Sequence, residues 1–163
     1  MNLEEIYELH LGRVYGFFAY RVASRHDAED LTSATFERAV KHAGRFDPRR
    51  ASPATWLLAI AQNVLTDHYR RGARRPESLT EVDALDARVA GAPDRPELGV
   101  SPELEQALGG LGDREREVVA LRFGGDLRGK EIAQLTGLSE ANVHQILSRS
   151  LRQLRQAMPE RRP

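Results

Sequence analysis

Glu140, Asn142, His144, Gln145, Ser148 and Arg149 lie within ten residues, at spacings that put them on the outer side of one helix. Their chemistry suits DNA. Amides, hydroxyls and carboxylates donate to or accept from base edges in a major groove, and arginine pairs with phosphate or guanine. Such side chains need a support that carries the helix into the groove. The stretch KEIAQLTGLSEANVHQIL, Lys130 to Leu147, reads as that support, a helix-turn-helix. Ile132, Ala133 and Leu135 give its first helix an apolar face, and Ala133 is small where the second helix must cross. Gly137 stands where the turn calls for a positive φ, which glycine adopts without a Cβ penalty. Leu138 plugs the turn. Ser139 is an N-cap for the second helix and joins the DNA-facing set, with Glu140 at the positive helix end. Val143, Ile146 and Leu147 point inward at helical spacing.

A second group with binding chemistry lies upstream. Arg49 and Arg50 fall in the loop FDPRRAS, and Arg70, Arg71, Arg74 and Arg75 close a helical segment. Phe46, Trp56 and Tyr69 lie in or beside this block. Arginine forms paired hydrogen bonds to phosphate and stacks on bases. Basic residues interleaved with aromatics suit single-stranded or melted DNA, whose bases stack on side chains. Trp56 also begins an apolar stripe, and a core role is favoured for it. For Phe46 and Tyr69 both readings stand.

Catalytic chemistry finds little support. His10, His26, His42, His68 and His144 form no HExxH or other metal-ligand spacing. His68 sits on an apolar stripe and reads as a packed histidine. There is no phosphate-cradling glycine loop and no nucleophile elbow. The carboxylates fall at helix starts and in an acidic stretch, where capping and solubility account for them. No enzyme activity and no cofactor are expected.

Composition and charge agree with this reading. The 163 residues, 40% of them hydrophobic, suffice for one domain or two small ones. With no cysteine there is neither a disulfide framework nor a thiolate zinc site. No apolar run approaches the ~20 residues of a membrane span. The acidic, amphipathic N-terminus is unlike a secretory signal, so a cytoplasmic protein is expected. Net charge is zero, but it is unevenly spread. Residues 48–75 hold 6 arginines and one aspartate, and residues 118–163 hold 8 basic and 4 acidic groups. Between them, residues 76–117 hold 4 basic and 11 acidic groups. Each basic block coincides with a helical motif and could meet phosphate.

The elements that must position these residues are helical. Leu3, Ile6, Tyr7, Leu11, Val14, Phe17, Phe18 and Val22 form one stripe. A second helix is expected from an Asp27 cap, through Leu31, Phe36, Ala39 and Val40, to near Gly44. Ser52 and Pro53 begin a third, whose stripe is Trp56, Leu57, Ile60, Ala61, Val64, Leu65 and His68, ending at Gly72. Residues 76–100 are acidic and rich in proline and glycine, a linker with at most a transient turn near Val82 to Val89. Because that linker lacks a substantial apolar face, the two halves are expected to move independently. Ser101-Pro102 opens the second domain, where Leu104, Ala107, Leu108 and Leu111 supply the first apolar face. A helix from about Asp113 to Phe123 precedes the helix-turn-helix. Its recognition helix runs on through Leu151 and Leu154. The fold class is all-α, with two small helical domains joined by a flexible acidic linker, the C-terminal one a helix-turn-helix. The domains are 1–75, the linker 76–100, and 101–163.

Taken together, DAEDLTSATFERAV, TWLLAIAQNVLTDHYRR and GDREREVVALRFGGDLRGKEIAQLTGLSEANVHQILSRSLRQLR resemble the extracytoplasmic-function sigma factors of bacterial RNA polymerase. The first two segments are similar to that family's region two and the third to region four. The resemblance implies a promoter-specificity subunit that binds core RNA polymerase and promoter DNA. Asp30, Leu31 and Phe36 would lie in the polymerase-binding surface. The FDPRRAS loop, with Arg49 and Arg50, would capture bases of the minus-ten element, and Asn63, Asp67, Arg70 and Arg71 would contact the strand nearby. Residues Ser139 to Arg149 would read the minus-thirty-five element. Regulation would come from a separate anti-sigma protein, and no membrane insertion is expected. Ser33 and Ala34 stand where the family often has Gln-Glu, and Arg128 and Gly129 where it usually has a hydroxyl cap. His144 and Ile146 replace residues that are often basic, which predicts a shallower salt dependence. The competing reading is a helix-turn-helix regulator that binds duplex operator DNA as a dimer. A small helical enzyme is a third class, for which no catalytic pair is evident.

Overall fold

A computed structural model describes residues 2–74 and 100–158, and these residues are helical with no strand among them. The linker reading for residues 76–99, the turn near Val82 to Val89 and the position of Arg75 lie outside the described residues.

Three helices make the N-terminal half: α1 (Leu3–Arg21), α2 (Arg25–Lys41) and α3 (Pro53–Arg74). Asn2 caps α1 by accepting from the Glu4 and Glu5 amides. The cap of α2 is Ser24, whose hydroxyl accepts from the Asp27 amide at 3.2 Å, so Asp27 lies in the first turn rather than at the cap. A serine in extended backbone satisfies the orphan N–H there, and the aspartate then serves the positive helix end. A 3-10 turn at Ala43–Arg45 follows α2. Ser52 caps α3 as expected, accepting from the Thr55 amide at 3.2 Å with Pro53 at the first position. α3 continues through Gly72 to Arg74.

The C-terminal half holds α4 (Pro102–Gly109), α5 (Asp113–Val119), a π turn at Ala120–Gly124, α6 (Gly129–Thr136) and α7 (Glu140–Ala157). Ser101 caps α4 through the Leu104 amide. The expected helix from Asp113 to Phe123 is α5 plus the π turn, closed by a 2.8 Å bond from the Gly125 amide to the Ala120 carbonyl.

Most apolar positions of the three N-terminal stripes pack inward. Val14, Phe17 and Phe18 of α1 and Leu57, Leu58 and Ala61 of α3 are fully buried. Two expectations fail. Val40 is 59% exposed, and Tyr7 is 46% exposed, resting edge-to-face on Phe36 at 4.8 Å.

The halves do not stand apart. α1 packs along the π turn and α5, α3 meets α6, and one core cluster runs from Phe17, Leu57 and Leu58 through Val118, Leu121, Leu127 and Ile132. The expectation of independent motion rested on the linker's lack of an apolar face. The association comes instead from the helices, so linker composition could not report it.

Candidate nucleic-acid interface

The helix-turn-helix is built as its residue types require. Gly137 closes α6 with φ 76° and ψ 6°, in the left-handed region, and its amide bonds the Ala133 carbonyl at 3.0 Å. Ser139 caps α7 by accepting from the Asn142 amide at 3.1 Å. Ile132, Val143, Ile146 and Leu147 are buried between the helices, and Ala133, Leu135 and Leu138 are half-buried. The N-cap position of α6 is Arg128, whose side chain has no acceptor to cap with. The Glu131 carboxylate supplies half of a capping box, accepting from the Arg128 amide at 3.1 Å.

This packing leaves the outer side of α7 in solvent. Ser139, Glu140, Asn142, His144, Gln145, Ser148 and Arg149 are all exposed. His144 Nε2 lies 3.9 Å from Glu140, one turn earlier. Arg152 and Arg155 extend the basic edge of the same helix. The face is therefore polar at its start and cationic along its later turns, an arrangement suited to base edges flanked by phosphates.

The second set surrounds the start and end of α3. Arg49 and Arg50 project from the loop with side chains 91% and 87% exposed. Asp47 organises that loop by accepting from the Arg49 amide at 3.0 Å. Phe46 and Trp56 are half-buried and pack together with ring centroids 5.1 Å apart. Tyr69 is 45% exposed, donates to the Arg21 carbonyl at 3.1 Å and lies beneath the Arg21 guanidinium. Asn63, Arg70 and Arg71 are exposed. Asp67 differs from them, because Arg38 donates to its carboxylate at 2.6 Å. That hydrogen bond holds the Asp67 carboxyl below its ordinary range, against partial desolvation and with help from the Arg38, Arg70 and Arg71 charges. Its negative charge is thus committed to α2.

Among the residues expected to meet polymerase, Asp30 is exposed and Phe36 is half-buried. Leu31 is only 7% exposed, so it shapes that surface from within the core. His68 is half-buried against Tyr69.

Two sequence models fit this arrangement. Residues 6–75 match Sigma-70 region 2, and residues 107–156 match Sigma-70, region 4. The ECF RNA polymerase sigma factor SigM of Bacillus subtilis is 30% identical over 159 residues, covering 95% of this chain and 94% of that protein. The chain belongs to the extracytoplasmic-function sigma factors. This sigma factor is also 32% identical over 158 residues to BldN of Streptomyces coelicolor, where 95% of the chain spans 60% of the relative's length. The solved structure of the sigma factor RpoE of Bartonella quintana, in complex with the anti-sigma factor NepR, shares the fold with a TM-score of 0.72. The identity there is 20%, over 94% of each chain. A sigma factor acts in transcription initiation with RNA polymerase, as a promoter-recognition subunit rather than a dimeric operator-binding regulator. Among the described residues no helix is long and apolar enough to cross a membrane.

Sequence reasoning missed the groups that join the halves. Glu131 accepts from the Thr55 hydroxyl at 2.7 Å and from the Ser52 hydroxyl at 3.2 Å. Gln134 donates to the Arg50 carbonyl, and Gln62 donates to Glu117 at 2.7 Å. Arg116 Nε donates to the Tyr20 carbonyl at 2.8 Å, and Arg21 donates to that of Asp113. Each of these residues reads locally as a cap or a solvated side chain. Only the approach of segments far apart in sequence reveals the pairing.

Proposed function

We propose that the two halves divide promoter recognition between them. Residues 1–75 hold polymerase through the surface around Asp30, Leu31 and Phe36, and capture the minus-ten strand with Arg49, Arg50, Asn63, Arg70 and Arg71. Asp67 belongs to this group as the anchor of Arg38, and the strand meets the arginines beside it. Residues 101–163 read the minus-thirty-five duplex with Ser139, Glu140, Asn142, His144, Gln145, Ser148 and Arg149. The observation that carries this reading is the exposed polar and basic face of α7, held by a capped and packed helix-turn-helix.

The chain supplies binding energy and no catalysis. Holding an unstacked base costs a few kcal/mol, which contacts to exposed aromatic and arginine groups offset. It works in the cytoplasm, beside the polymerase and the chromosome. An anti-sigma protein restrains it, a proposal supported by the similar solved structures of RpoE bound to the anti-sigma factor NepR and of CnrH bound to the cytosolic domain of CnrY.

Co-purification with bacterial core RNA polymerase, followed by transcription of genomic fragments, tests the reading. A stable complex that starts RNA at discrete sites is expected. Failure to bind core, with tight binding of a duplex site as a dimer, would refute it.

A further inference from the structure

We propose that Gly129 is a specificity-determining residue: carrying no side chain, it gives the His144 imidazole a berth against the start of α6 and so sets the direction from which His144 reads a base pair. The proposal rests on the reading of α7 as the duplex-recognition helix. Gly129 acts through His144 and is a positioning residue.

Backbone conformation does not call for glycine at this place. Gly129 is the first residue of α6, and among the described glycines Gly137 alone has a positive φ. In helical backbone glycine costs stability relative to alanine, because it has more freedom to lose on folding. What the position needs is room. A Cβ at residue 129 would lie 3.1 Å from His144 Cε1 and 3.2 Å from Nε2, inside the ordinary contact range of 3.4–4 Å. The same Cβ would lie 3.9 Å from Glu140 Cγ, within that range. A methyl there displaces the ring and leaves the carboxylate in place. Among the described glycines, Gly129 alone would meet residues of the outward set on α7 in this way.

The position of the ring decides what it can read. The N-terminal part of a recognition helix contacts base edges, and His144 lies in the second turn of α7. Its Nε2 faces the Glu140 carboxylate at 3.9 Å, so the tip of the ring is bracketed by Glu140 and the Gly129 backbone. A neutral imidazole offers one donor and one acceptor. With Nε2 turned toward Glu140, Nδ1 is the nitrogen left for a base edge. His144 also lines a shallow hollow of about 410 Å³ with Gln145, Ser148, Arg149 and Arg152. A ring pushed off Gly129 therefore changes both the aim of that nitrogen and the wall of the surface that meets the groove. The push is a few tenths of an ångström or more. Hydrogen bonds weaken steeply as distance and angle depart from the ideal, so such a shift is read as a change in base preference.

The test is a base-preference profile. Holoenzyme is assembled from core polymerase and the native chain or a variant. It is allowed to bind copies of a mapped promoter whose minus-thirty-five element is randomised, and sequencing of bound and unbound fractions gives the preference at each pair. His144→Ala should flatten the preference at one or two pairs by about fivefold or more, the scale of a lost base contact. Gly129→Ala should change the preference at those same pairs by at least about twofold, leave the other pairs as they are, and not lower Tm. Gly129→Gln, which fills the berth with a longer chain that suits a helix, should reproduce most of the His144→Ala effect. In a His144→Ala background, Gly129→Ala should change nothing further, since it acts through the ring. A native profile at the His144 pairs in either single alanine variant, or an equal Gly129→Ala effect with and without His144, would overturn the proposal. So would a loss of binding uniform across all pairs, which marks a structural or phosphate role. A native chain that shows no preference anywhere in the element would instead sink the duplex-recognition reading, and the proposal with it.

Discussion

Replacing Glu131 with alanine removes the acceptor for three donors at once: the Thr55 hydroxyl, the Ser52 hydroxyl and the Arg128 amide. The Thr55 hydroxyl is the costly one, because Thr55 is 2% exposed and water reaches it poorly. A buried hydroxyl that loses its acceptor costs about 1–3 kcal/mol, and an amide near solvent about 0.5–1 kcal/mol. The single Ser52 hydroxyl proton also has the Thr55 oxygen within reach at 3.0 Å and can turn to it, so its loss is small. The sum is about 2 kcal/mol, which for a chain of this size lowers Tm by roughly 4–8 °C. The effect also carries a pH signature. Partial burial pushes the Glu131 carboxyl up, but hydrogen bonds from Thr55, Arg128 and Ser52 and the Arg13 charge outweigh it, and the folded value falls below the ordinary 4.5. A depressed folded value contributes stability that is fully present above the unfolded value and is lost as pH falls through the folded one. The gap in Tm between the native chain and Glu131→Ala should therefore be full at pH 7 and shrink below about pH 4.5. Thermal unfolding followed by circular dichroism across this range measures both. A variant as stable as the native chain at pH 7, or a gap that does not change with acid, would refute the reasoning.

Three other outcomes follow from named contacts. Gly137→Ala meets no atom within 4 Å of the added Cβ, so its cost is purely the left-handed backbone. About 1 kcal/mol and a fall in Tm of roughly 2–4 °C are expected by calorimetry, and an unchanged or raised Tm would contradict the turn assignment. Arg149→Ala should weaken binding of polymerase holoenzyme to minus-thirty-five DNA and reduce the slope of log K against log salt by about 1, a change absent if Arg149 touches no phosphate. Arg38→Ala should move the Asp67 carboxyl upward, read by NMR titration, because the Arg38 hydrogen bond is the main cause of its depression. An unmoved Asp67 would show that Arg70 and Arg71 set its value instead.

The local devices of this chain were legible because each depends on neighbours in sequence. Ser52, Ser101 and Ser139 cap helices through amides three residues on, and Gly137 adopts its positive φ within a single turn. The outward set on α7 follows from helical period and from Val143, Ile146 and Leu147 pointing inward. The α2 cap was misplaced because Ser24 and Asp27 are both good caps. Backbone geometry chose the serine and gave the aspartate to the first turn.

Other features depend on which surfaces meet. Periodicity placed Tyr7 and Val40 on apolar stripes, yet the described helices cover them only in part, Tyr7 by the edge of Phe36, and both remain exposed. Asp67 lies among basic residues in sequence, but α2 brings Arg38 to it from 29 positions away. The sequence by itself determined two helical units, the caps at Ser52, Ser101 and Ser139 and the outward polar face of α7, since short-range spacing and capping chemistry suffice for those. Tertiary structure alone decided that the units close on one another. Gly16 with Gly124, and Glu131 with Thr55, are paired across more than seventy residues, and nothing local to either partner encodes the other.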